Sequence, residues 1–142
     1  MFDPKAEVPS LELCKRLKEL GFPQEGGWYW IKDEGEWIIV FSEDGESYLL
    51  EYSGGEGEYF TAKLPEDKVK APTCRELGEW LPRVIEDYFL EFLPKGKKIL
   101  DWWVVYRNQN KTKILIPADT EPNARAKMLI WLVENGYVKL RR

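Results

Sequence analysis

Two groups of charged residues are where this sequence could do chemistry. Between Glu25 and Glu58, ten carboxylates stand against Lys32 alone, and Asp33, Glu34, Glu36, Glu43, Asp44 and Glu46 are the densest of them. Carboxylates crowded onto turns dock a basic protein surface or imitate nucleic-acid phosphates, and their summed field steers association. Their ordinary use is to keep turns soluble and strand edges unpaired. The opposite group is Lys95, Lys97, Lys98, Arg107, Lys111 and Lys113, with Trp103 and Tyr106 close in sequence. Basic residues beside flat rings are what a nucleic-acid or other anionic ligand needs. The charge is split accordingly: residues 1–71 sum to −8 and residues 72–142 to +4, for a net of −4. A nucleic acid drawn to the second half is repelled by the first. Docking on a protein through the acidic turns is therefore the leading expectation. A ligand or nucleic-acid surface using aromatics beside Lys95–Lys113 is the alternative.

The absences narrow the chemistry further. The chain has no His, which removes Ser–His–Asp and Cys–His catalysis, most zinc sites and the usual near-neutral proton carrier. Glu79, Glu86, Asp87 and Asp101 are carboxylates an enzyme could use, but no spacing pairs them. Asp33, Glu34 and Glu36 lack the ligand spacing of a calcium loop. Gly26–Gly27 and the glycines at 54–57 are not followed by the Lys-Ser/Thr pair and helix start of a phosphate cradle. No catalytic, cofactor or metal residue is assigned, and a non-enzymatic protein is expected. Cys14 and Cys74 fall inside predicted helices; their number allows a disulfide, but without a secretory signal two buried thiols are the ordinary reading.

Three helices must frame these groups. Ser10 caps one over Leu11–Leu20, whose Leu13, Leu17 and Leu20 form a stripe and which Gly21 ends. Thr73 and Glu76 form a capping box for a second, closed by Pro82. The third spans Asp119–Lys139. There Ala124, Met128, Trp131 and Leu132 share a face that Ile130 and Val133 widen, until Gly136 turns Tyr137 back towards Leu132. Between them, hydrophobic alternation marks strands at Trp28–Lys32, Glu36–Phe41, Ser47–Tyr52, 58–63, Tyr88–Leu93, 99–107 and Lys111–Ile116. Leu64–Pro72 reads as a polar connector. The expectation is one α+β domain over residues 1–142, with an antiparallel sheet of about seven short strands and three helices in the order α-β4-α-β3-α. Seven Trp enrich it in aromatics. Trp28, Tyr29, Trp30, Trp37, Trp102 and Trp103 could stack on a sugar or base, but adjacent residues of a strand face opposite ways, so filling the core accounts for them better. No apolar run approaches the ~20 residues of a membrane span. The first ten residues lack the pattern of a signal peptide, so the cytoplasm is the expected compartment.

Three segments carry a resemblance: PSLELCKRLKELGF at 9–22, KAPTCRELGEWLP at 70–82 and EPNARAKMLIWLVENGYV at 121–138. Together they resemble a family of small phage and prophage proteins in which these motifs recur in this order. Position by position, the match falls on Leu77, Gly78, Glu79, Trp80, Leu81 and Ala124 through Leu132. The resemblance implies a phage or prophage setting and brings no activity, cofactor or partner with it.

Overall fold

The computed structural model describes residues 3–50, 60–94 and 102–140, and among them are four helices and nine strands. A one-turn helix α1 (Pro4–Glu7) opens where Asp3 accepts from the Lys5 amide and Pro4 takes the first position. It adds to the three helices expected, although the Asp-Pro start was a readable cap. Helix α2 (Leu11–Glu19) is capped by Ser10 and stopped at Gly21, φ +102°, where the Phe22 amide bonds to Leu17 O at 2.9 Å. A side chain at Gly21 would run into the Leu140 carbonyl, so this turn also needs glycine for space.

The strands form three antiparallel sheets where the alternation suggested one. In the first, β1 (Gly27–Asp33) lies between β2 (Glu36–Ser42) and β5 (Val69–Lys70). The second pairs β3 (Ser47–Leu49) with β4 (Thr61–Lys63), so β3 leaves β2 at the Glu43–Glu46 turn and is not hydrogen-bonded to it. Helix α3 (Cys74–Trp80) follows, with its capping box formed as the sequence suggested. The third sheet runs β6 (Val84–Ile85), β7 (Tyr88–Pro94), β8 (Trp102–Asn108), β9 (Lys111–Ala118). Two-residue strands β5 and β6 carry no periodicity and are defined only by their partners. Within the supposed connector, Ala71 N donates to Trp28 O at 2.8 Å and satisfies the side of β1 that faces away from β2. The expected strand segments at 51–52, 58–59 and 99–101 lie outside the described residues.

Helix α4 (Glu121–Glu134) closes the fold. Ala124, Met128, Leu129 and Leu132 are fully buried against Leu17, Leu77, Val104 and Tyr106, in a core built from α2, α3, α4 and the third sheet. Gly136 ends it at φ +83°, and Tyr137 N bonds back to Leu132 O at 2.8 Å as its sequence indicated. The helical spacing puts Trp131 in the core stripe. It lies instead at the rim, partly buried, stacked on Tyr137 with ring centroids 5.7 Å apart. Helix α2 bridges two cores: Leu17 faces α4, while Cys14 joins Val8, Val69 and Ala71 under Trp28, Trp30, Trp37 and Ile39. The opposite face of the first sheet buries Tyr29 and Ile31 beneath Ile38, Val40, Tyr48 and Leu64. The tryptophans thus divide among packing layers, and no single platform collects them. No helix of the described residues is long and apolar enough to cross a membrane.

Candidate partner-binding surface

Strand β2 separates the six acidic candidates into two groups. Asp33 pairs with Glu36 across a two-residue turn in which Glu34 and Gly35 take φ +49° and +85°, a conformation that matches strand twist. Sequence alone suggested a three-residue loop, but the ladder reaches Asp33. Glu43, Asp44 and Glu46 sit at the other end of β2, roughly 20 Å away along a seven-residue strand. Asp44 is structural: its Oδ1 accepts from Glu46 N at 2.8 Å, Ser47 N at 3.0 Å and Ser42 Oγ at 3.2 Å. The two amides hold its carboxyl below the ordinary value of 3.8. Glu43 and Glu46 are exposed beside it.

A groove of about 560 Å³ opens at this second end, lined by Phe41, Glu43, Asp44, Ser47, Tyr48, Leu49 and Thr61. Of its lining Phe41 and Leu49 are exposed at 52% and 63%, and at the next step of the ladder Leu50 and Phe60, joined by the Leu50 N–Phe60 O bond, are exposed at 41% and 52%. Sequence reasoning passed over these four because strand alternation treats apolar residues as inward-facing. The one legible sign was apolar Leu49 and Leu50 in succession, which a two-faced strand cannot both bury.

Two of the three described basic residues are paired with carboxylates. Arg107 donates to both carboxylate oxygens of Glu91, at 2.6 and 3.0 Å across β7 and β8. Lys113 occupies the bulge between β8 and β9, 3.4 Å from Glu86 and over the rings of Tyr88 and Tyr137. Lys111 is exposed at the start of β9, and Trp103 is half-buried on β8. Lys95, Lys97 and Lys98 lie outside the described residues. The pairing of Arg107 and Lys113 with carboxylates works against a phosphate-binding surface here.

Lys70 escaped the sequence reading altogether. It is 2% exposed, donates to Gly26 O at 2.6 Å and pairs with Glu76 Oε2 at 2.9 Å. Glu76 Oε1 meanwhile accepts from Thr73 N at 3.0 Å, so one carboxylate both caps α3 and neutralises a buried ammonium. The flanking pocket, about 330 Å³, is lined by Phe22, Pro23, Glu25, Lys70, Glu76, Glu79 and Trp80. Its ammonium already has a carbonyl and a carboxylate, so it is a structural charge, not a presented nucleophile. The thiols are similarly quiet: burial pushes Cys14 up to about 12 and Cys74 up to about 11, and neither is a thiolate near neutral pH. Among the described residues no three His, Cys, Asp or Glu side chains are placed to hold a metal ion.

These carboxylates set an acid dependence. Hydrogen bonds from Arg107 lower Glu91 from 4.5, amides lower Asp44 from 3.8, and Asn123 lowers Asp119 from 3.8. A carboxyl with a depressed folded value stabilises the fold fully above its unfolded value and loses that contribution as pH falls through the folded one. The urea midpoint is therefore expected to start falling as pH approaches 4.5 and to keep falling below 3.8. Glu91→Gln should make that descent shallower, and an unchanged slope would show that the Arg107 pair does not act as described.

Scanned against models of protein families, curated proteins and solved structures, the chain matches none. Its class is that of its fold, an α+β arrangement of antiparallel sheets with helices packed on them.

Proposed function

We propose that this chain is a non-enzymatic accessory protein of phage or prophage type that binds another protein through the surface around the β2–β3 turn. One observation carries the reading: Phe41 and Leu49 are exposed on the groove that Glu43 also lines, and Leu50 and Phe60 are exposed at the next step of the same ladder. A large apolar side chain left in water forgoes about 1.5–3 kcal/mol that burial would supply. A partner that covers Phe41 and Leu49 recovers part of that, and carboxylates at the rim favour a basic one. The motifs at 9–22, 70–82 and 121–138 support the phage setting.

Affinity purification of the tagged chain from the host is expected to recover a stoichiometric partner. Phe41→Ser combined with Phe60→Ser should lose it, because these exposed rings support binding more than the fold. Reversing Glu43 and Glu46 to Lys should weaken capture and reduce its sensitivity to salt. Recovery indifferent to both pairs of changes removes this surface from the account.

A further inference from the structure

We infer that the partner adds an extended strand to the outer edge of β2, and that this strand is apolar in alternation with basic residues at both ends. The inference rests on the protein-binding reading above and specifies how that surface is occupied.

The direction of the β2 backbone follows from its register. Asp33 and Glu36 flank a two-residue turn and exchange both hydrogen bonds, so Glu36, Ile38, Val40 and Ser42 point their backbone groups at β1. Trp37, Ile39 and Phe41 point theirs outward. The opposite side of β1 agrees, since Trp28 O, out of phase with Gly27 and Tyr29, is taken by Ala71 N. Among the described residues no donor or acceptor meets the outward N–H and C=O groups of Trp37, Ile39 and Phe41. Such a row is a template for another strand.

Other strands on the outside of these sheets are guarded. Strand β9 carries Lys111 and Lys113, a bulge beside Lys113, and Pro117, each of which blocks strand addition. Strands β3, β4, β5 and β6 are two or three residues long. β2 has seven residues, and from Trp37 to Phe41 no charge, proline or glycine interrupts it. Among the described residues one long edge is protected and the other is left open, with the groove at Phe41 beside it to receive a side chain.

Charge selects the occupant. One end of the open edge is flanked by Asp33, Glu34 and Glu36, and the other by Glu43, Asp44 and Glu46. A second copy pairing β2 with β2, antiparallel or parallel, brings acid against acid at both ends. A foreign strand with Lys or Arg at each end of about five alternating residues meets opposite charge at both.

The probe is the synthetic peptide Lys-Lys-Val-Thr-Val-Thr-Val-Lys-Lys, with two further versions N-methylated on alternate residues in opposite phase. Strand addition predicts that binding slows amide exchange at Trp37, Ile39 and Phe41 while Ile38 and Val40, already bonded to β1, change little. It also predicts that one phase of N-methylation abolishes binding and the other leaves it intact, because only one set of peptide N–H groups faces β2. Reversing Glu36, Glu43 and Glu46 to Lys should weaken the peptide about tenfold, the sum of a few exposed ion pairs. Equal binding by both methylated forms, or none by the parent peptide at millimolar concentration, overturns strand addition. Self-association that protects the same three amides would assign the edge to a second copy and overturn the basic strand. In each of these cases the loss of host capture on Phe41→Ser with Phe60→Ser still judges the broader reading by itself.

Discussion

Truncating Leu132 to alanine is expected to lower the unfolding free energy by about 2–5 kcal/mol. The side chain is fully buried where α4 meets α2, α3 and the third sheet, so the vacated space has rigid walls on every side. Trp131→Ala is the informative comparison. By residue size alone the indole should matter more, at roughly 3–5 kcal/mol for a buried ring. Its ring lies at the rim on Tyr137, so its loss removes a stacked pair and part of its area, about 1–2 kcal/mol. Urea unfolding with unchanged m-values would measure both. If Trp131→Ala proves the costlier of the two, Trp131 and not Leu132 faces the core.

The second large effect concerns Lys70. Glu76→Gln keeps a hydrogen-bonding side chain for the cap of α3 but strips the countercharge from an ammonium that is 2% exposed. Removing one partner of a wholly buried pair costs about 3–5 kcal/mol because the other charge is stranded. Glu76 is 35% exposed, so water screens part of the change, and about 2–3 kcal/mol is expected. Adding Lys70→Met removes the stranded charge and should recover part of the loss, though Gly26 O then lacks its donor. A cost for Glu76→Gln below about 0.5 kcal/mol would be that of a surface pair and would mean that water reaches the ammonium.

Much of the fold was legible where the physics is local. Ser10, Thr73 with Glu76, Gly21 and Gly136 marked helix ends through caps that need only a few neighbouring residues. Alternation located the long strands β1, β2, β7, β8 and β9, because a two-faced strand writes its burial into every second residue. The candidate site was legible as composition only. Its acidic residues could be counted, but β2 holds them in two groups, and Asp44 serves the turn itself.

By itself the sequence determined an α+β chain with capped helices, antiparallel hairpins and an acidic first half, since propensity, periodicity and charge are local properties. Only the tertiary structure decided that β3 leaves β2 to pair with β4, that Lys70 is buried against Glu76, and that Trp131 yields the core to Leu132. Those outcomes depend on which surfaces meet across tens of residues. Burial is a property of the assembled layers, and no window of sequence contains both sides of a contact.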